Sequence, residues 1–277
     1  MFHADRPTTE LDLEYHTHTA EGDLSPLCLI VGAPGRAHMI AAEFLTGLRC
    51  FKNDLRGLTA YTGLYRGSEV SVVTSGMGGP SMGIVLPEAV RSGARIFIRV
   101  GSCGSLIKES RVGDVIVVTK AIRFDGASQN WAMPEFPAAA DDRVVTALRN
   151  AAAIMAPERH HVGIESSTSD FNAGQARPNL FGIVPPHMQA RHEEMLRLGV
   201  ACYSMEAAAL FVWCDTEGGG LPAGAINAVF GNRLTNEWGT EGEELAAAVA
   251  LGAFRILAED KSMADYIARR QPVYPAK

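Results

Sequence analysis

Leu27-Cys28-Leu29-Ile30-Val31-Gly32-Ala33-Pro34-Gly35 is a run of five apolar residues closed by a Gly-Pro turn, and its reading decides the fold. Five apolar residues in succession leave no polar face, so they read as a strand covered on both sides, as at the centre of a parallel sheet. A helix should follow at once. Ile40, Phe44 and Leu48 recur every four residues, the stripe of a helix lying on a sheet, with Gly47 beginning its exit.

The same order of strand, glycine turn and helix recurs outward from that stretch. Tyr61–Gly67 and Val70–Thr74 read as a hairpin turning at Arg66-Gly67-Ser68, and the second strand runs into Ser75-Gly76-Met77-Gly78-Gly79-Pro80-Ser81. Pro80 suits a helix start, with Met82, Leu86 and Val90 as its apolar face. Arg95–Val100 is a further buried strand, ended by Gly101-Ser102-Cys103-Gly104-Ser105, and Asp114–Ile122 another. Helices are expected near residues 142–155, 187–198, from about 206, and over 241–258, with strands near 161–167 and 224–230. Alternating strands and helices without a linker imply one α/β domain over residues 1–277, with helices on both faces of a mixed sheet.

Composition narrows the function. The 277 residues carry 25 Lys and Arg against 31 Asp and Glu, a net charge of −6, with no basic run to meet nucleic acid or an anionic membrane. The ligand should therefore be small. The longest uncharged stretch, Val70–Pro87, is broken by glycines, prolines and hydroxyls, so no transmembrane segment is expected. The first residues have early acids and no apolar core, which argues against a secretory signal and places the protein in the cytoplasm. Cys28, Cys50, Cys103, Cys202 and Cys214 form no C-x-x-C pair and read as reduced, mostly buried thiols. The histidines lack metal-site spacing, so no metal is expected.

In open α/β sheets ligands bind beyond the carboxyl ends of strands, so the three glycine-rich strand ends matter first. Gly32 through Arg36 puts a guanidinium at a helix N-terminus, and Arg99 and Ser102 put another beside a hydroxyl; together they suit one phosphate. None of the turns matches a nucleotide loop, which argues against ATP and NAD. Taken singly, each also has the plain reading that glycine lets the chain reverse. Arg56 alone reads as a solvated surface residue. Glu206 opens the very apolar helix Ala-Ala-Ala-Leu-Phe-Val-Trp-Cys, either as a functional carboxylate or as a helix cap. Gln175 and Arg177, two residues apart, would face one planar polar ligand if their segment is extended.

Taken together, GAPGR (32–36), SGMGGPSMGI (75–84), RVGSCGSL (99–106), VGDVIVV (112–118), RFDGASQNW (123–131), FNAGQAR (171–177), YSMEAAAL (203–210) and GNR (231–233) resemble, in order, the segments of the purine and uridine nucleoside phosphorylase family, its uridine branch in particular. The resemblance implies a single α/β domain around a mixed, partly barrel-like sheet. It also implies reversible phosphorolysis of uridine, with deoxyuridine or thymidine as further candidates, to free base and sugar 1-phosphate. Phosphate is then a co-substrate, and no cofactor is required.

By the same resemblance, Gly32, Arg36, Arg99 and Ser102 correspond to the phosphate site, and Arg56 to an arginine lent by a neighbouring subunit. Met205 and Glu206 correspond to the ribose pair, and Gln175, Arg177 and Phe171 to the base site, with Arg233 grouped beside them. Glu206, Arg99 and Arg177 are the implied catalytic residues. His16, in an N-terminal extension over residues 1–25, resembles a histidine that reaches the next subunit's nucleoside. A homo-oligomer is implied, a dimer or a hexamer built as a trimer of dimers.

Three departures stand out: Ala33 where bacterial relatives commonly carry Asp, Ser102 for Thr, and Gly57 for a Glu used in a monovalent-cation site. Gly231-Asn232-Arg233 lacks the Asp that purine-specific relatives use, which favours a pyrimidine. The alternatives are a purine phosphorylase or hydrolytic nucleosidase of the same superfamily, a nucleoside-binding protein without catalysis, and a Cys103-dependent amidotransferase. The last lacks the glycine spacing of a nucleophile elbow.

Overall fold

A computed structural model describes residues 6–269; residues 1–5 of the expected extension and 270–277 of the expected domain lie outside it. The decisive stretch is strand β1 (Leu27–Val31), buried along its whole length, and it passes directly into helix α1 (Pro34–Phe44). Strands β2 (Thr46–Asn53), β3 (Leu58–Tyr65) and β4 (Ser68–Thr74) follow as an antiparallel meander. Helix α2 (Gly79–Arg91) then leads to β5 (Ile96–Ser105), β6 (Val115–Phe124) and the short β7 (Ala138–Ala139). After α3 (Asp142–Met155) come β8 (His160–Thr168), α4 (Pro186–Arg197), β9 (Cys202–Ser204) and α5 (Ala207–Asp215). The chain continues with β10 (Ala223–Asn232), β11 (Glu237–Trp238), α6 (Glu243–Glu259) and α7 (Lys261–Arg269).

All strands belong to one mixed sheet, ordered β2-β3-β4-β1-β5-β9-β8-β6-β10-β11, with β7 on β6. Strand β10 also pairs with β5, so β5, β9, β8, β6 and β10 close into a ring, and β1, β4, β3 and β2 run off β5 as an open wing. This is the mixed, partly barrel-like sheet that was expected. Strand β5 makes the closure because it is long: β1 takes its first half, β9 its last two residues, and β10 most of its length.

Helices cover both faces. Leu27, Leu29 and Val31 pack into a cluster with α1, α3 and α6, whereas Cys28 and Ile30 pack into one with α2 and α5. The alternation along β1 thus separates two cores, and each fully buried aliphatic side chain contributes about 1.5–3 kcal/mol to them.

One expectation fails locally. Helix α1 stops at Phe44, and Leu48 sits on β2 with its side chain 45% exposed. The four-residue spacing was a coincidence across a helix-to-strand junction, where Gly47 adopts φ +63°. Among the described residues, no helix is long and apolar enough to cross a membrane, and all five cysteines are free, with Cys50 exposed.

Candidate active site

Parallel pairing of β1 with β4 and with β5 brings the three glycine turns to one edge: Ile30 pairs with Arg99, and Val31 with both Val100 and Thr74. Beyond that edge lies a cavity of about 570 Å³. Its walls include Gly32, Ala33, Arg36, Arg99, Ser102, Phe171, Gln175, Arg177, Met205 and Glu206. Ten positions drawn from four separate segments therefore share one space.

Arg36 reaches from the first turn of α1, is buried, and donates Nη1 to Val100 O (3.1 Å) and Nη2 to Glu243 Oε1 (2.6 Å). Arg99, on the neighbouring strand, donates Nη1 to Asn227 Oδ1 (2.9 Å) and pairs through Nη2 with Glu206. The Nε of each arginine is buried without a hydrogen-bond partner. Buried donors are normally satisfied, and a polyatomic anion touching both guanidinium groups would satisfy these. Gly101 is required at this point because a Cβ there would collide with the Arg99 guanidinium and the Asn227 carboxamide.

The Glu206 side chain does not cap its own helix, which removes the cap reading left open by the sequence. The first N–H groups of α5 are taken by β8 instead: Ala207 N donates to Glu165 Oε1 (3.2 Å) and Ala208 N to Ser167 Oγ (3.0 Å). Glu206 is free to turn toward the cavity, where its Oε1 accepts from Gly78 N (2.8 Å) at the start of α2. The carboxylate therefore sits between a helix N-terminus and a guanidinium.

At the other end, Gln175 is buried, with Nε2 donating to Thr168 Oγ1 (3.2 Å) and Oε1 accepting from Arg177. Arg177 stacks over Phe171, 3.8 Å from its ring centroid. Desolvation and the nearby Arg233 charge push Arg177 down to about 10. Two cations held this close raise the local potential for an anion. Arg233 itself is not among the cavity walls: it donates to Gln175 O (2.8 Å) and Ala176 O (3.4 Å), bracing the loop that carries Gln175 and Arg177.

Arg56 and His16 also lie away from this chain's cavity, yet they share one patch. Arg56 is exposed over the Tyr15 ring, 5.4 Å from its centroid, and Asn53 Nδ2 donates to the carbonyls of Tyr15 (3.1 Å) and His16 (3.0 Å). The His16 ring meets Glu88 (2.7 Å) on α2. Gly57 takes φ +64°, a conformation that a glutamate adopts only under strain, which gives that departure a local backbone cause. Cys103 lines the cavity beside Cys202, whose thiol is pushed up by its hydrogen bond with Cys103 and by burial. Among the described residues no histidine hydrogen-bonds Cys103.

Sequence reasoning missed Glu165, Asn227 and Glu243. The first two had a signal: a carboxylate inside the strand-like HVGIESST, and in AGAINAVFGN an amide, Asn227, set between apolar residues. Glu243 had none, being one acid among several at the start of α6.

Residues 26–261 match the Phosphorylase superfamily. The chain is 38% identical over 257 residues to a uridine phosphorylase of Thermococcus kodakarensis, covering 92% of this chain and 91% of that protein. It is 35% identical over 226 residues to the uridine phosphorylase of Escherichia coli, covering 80% and 87%. A DeoD-type purine nucleoside phosphorylase of Jannaschia sp. is 33% identical over 198 residues, covering 71% and 78%. With the match running from the start of the central strand to the end of the core helices, and containing every residue that lines the cavity, the chain belongs to the phosphorylase superfamily.

Proposed function

We propose that the protein catalyses reversible phosphorolysis of uridine, yielding uracil and ribose 1-phosphate. One observation carries the reading: Arg36 and Arg99, the Glu206 carboxylate and the Gln175–Arg177 pair line the same cavity. The relatives matching over 92% and 80% of the chain are named uridine phosphorylases, and the purine enzyme matches over 71% of it.

The chemistry follows from charge. Cleaving the N-glycosidic bond develops positive charge on the sugar and negative charge on the departing base, so the site must stabilise both. Phosphate held by Arg36, Arg99 and Ser102 attacks the sugar carbon. Glu206, with Met205 beside it, accepts from the ribose hydroxyls and favours the cationic sugar. Gln175 hydrogen-bonds the pyrimidine, Arg177 neutralises its developing anion, and Phe171 flanks the ring. Phosphate is a co-substrate, and the reaction needs no further cofactor. Arginines gathered around an anion site have no use in hydrolysis, so water is disfavoured as the nucleophile.

The Arg56–Tyr15–His16 patch serves a neighbouring copy, which makes the working enzyme a homo-oligomer built on a dimer. Assays of uridine, deoxyuridine, thymidine and inosine, each at zero and saturating phosphate, test the reading. Uridine cleavage that requires phosphate supports it; faster cleavage of inosine, or cleavage indifferent to phosphate, contradicts it.

A further inference from the structure

Glu165, at the centre of β8, is fully buried, does not line the cavity, and has no role in the chemistry above. We propose that Glu165 is a positioning residue for the phosphate-binding Arg99, acting through the side-chain amide of Asn227. The proposal rests on the phosphorolysis reading and assigns it one more component.

Every hydrogen bond that Glu165 makes comes from a donor. Its Oε2 accepts from Asn227 Nδ2 (2.8 Å), and its Oε1 accepts from Ser167 Oγ and from Ala207 N (3.2 Å). The Ser167 hydroxyl accepts from Ala208 N, so its own proton is directed to Glu165. Burial pushes the Glu165 carboxyl up, and Arg99, Ser167 and Asn227 oppose that rise. A carboxylate that only accepts leaves the Asn227 amide one orientation, with its NH2 toward β8 and its carbonyl toward β5.

That orientation is what Arg99 needs. Asn227 Oδ1 accepts from Arg99 Nη1 (2.9 Å), which fixes the rotation of the guanidinium and leaves Nη2 and Nε for the cavity side. A flipped amide would set NH2 against guanidinium, two donors face to face. Gly101 keeps the space for this contact, since a Cβ there would strike both partners. Strands β8, β10 and β5 thus pass an acceptor-to-donor polarity across the closed ring to the phosphate site, while the α5 N-terminus anchors Glu165 from its other oxygen.

Glu165→Gln separates the two arms. The one remaining carbonyl oxygen can still serve Ser167 and Ala207, but the new NH2 faces Asn227, flips its amide and strips Arg99 of its acceptor. The experiment compares E165Q, N227A and the double variant in the full-length enzyme, reading KM for phosphate, KM for uridine, and protection against heat by inorganic phosphate. E165Q should raise the phosphate KM about 10- to 100-fold and weaken phosphate protection in parallel, with the uridine KM changed less than about threefold. N227A should do the same, and E165Q should add nothing in the N227A background.

Additive effects would overturn the proposal, as would equal losses toward phosphate and uridine that track a lowered melting temperature. If E165Q does not accumulate as folded protein, N227A decides alone, and an unchanged phosphate KM there overturns the assignment. Heat protection by phosphate is read without turnover. An unsubstituted enzyme that fails to cleave uridine therefore contradicts the function, while the effect of E165Q on phosphate protection still decides this proposal.

Discussion

Arg99 and Glu206 form one ion pair in the floor of the cavity, each side chain only 5% exposed. In the proposed reading the pair joins the phosphate half of the site to the sugar half, so neither charge is isolated before substrates arrive. Each partner is also hydrogen-bonded elsewhere, Arg99 to Asn227 and Glu206 to Gly78, which is the condition under which a buried pair is tolerated.

Glu206→Gln keeps the shape and removes the charge. Turnover of uridine should fall about 10²- to 10³-fold because charge stabilisation at the sugar is lost. The melting temperature should also fall, since a buried charge left unpaired costs about 3–5 kcal/mol. Steady-state kinetics and a thermal melt check both; unchanged turnover would remove Glu206 from the mechanism.

Gly101→Ala should damage the phosphate site without touching the base site. The added methyl displaces the Arg99 guanidinium and the Asn227 amide, an overpacking cost of about 1–3 kcal/mol. Phosphate KM should rise by more than uridine KM, as read by varying each substrate in turn.

Glu243→Gln should act in the opposite direction. Glu243 holds Arg36 at 2.6 Å and is 32% exposed, so it competes with an incoming anion for a guanidinium at the price of a partly solvated pair. Removing that competition should lower the phosphate KM about two- to fivefold, the worth of a partly exposed pair. Phosphate titration checks it, and a raised KM would show that Glu243 mainly holds Arg36 in place.

His192 governs part of the acid stability. Its pKa is lowered from 6.5, first by desolvation and then by Arg233, and its Nδ1 lies 3.1 Å from Tyr203 Oη beside β9. The unfolded chain then binds the proton more readily, so the contribution is intact above pH 6.5 and is lost as pH falls through the lower, folded value. His192→Gln should flatten the fall of melting temperature in that acid range; an unaltered profile would exclude His192 as a cause.

Much of this was legible in the sequence, for reasons that name particular residues. Strand β1 was readable because five apolar residues leave no exposed face, and Arg36, Arg99 and Ser102 because glycine turns end buried strands. Strand β2 was not: Thr46–Asn53 is an edge strand, mostly exposed, without apolar alternation. Strands β9 and β11 are too short, at three and two residues, to show a period. Glu206 was readable as an acid opening an apolar helix, but not the fact that Glu165 from a distant strand caps that helix in its place. Arg233 sat in a motif and was expected at the base; its guanidinium instead braces the loop beneath, a choice made by tertiary contacts alone.

The central claim is that the two arginines present phosphate, not water, to the sugar carbon. Uridine turned over with ¹⁸O-labelled phosphate in unlabelled water, followed by mass analysis of the sugar product, tests it most directly. Ribose 1-phosphate retaining every labelled oxygen, in equal amount to uracil, is the predicted result; free ribose carrying an oxygen from water would contradict it.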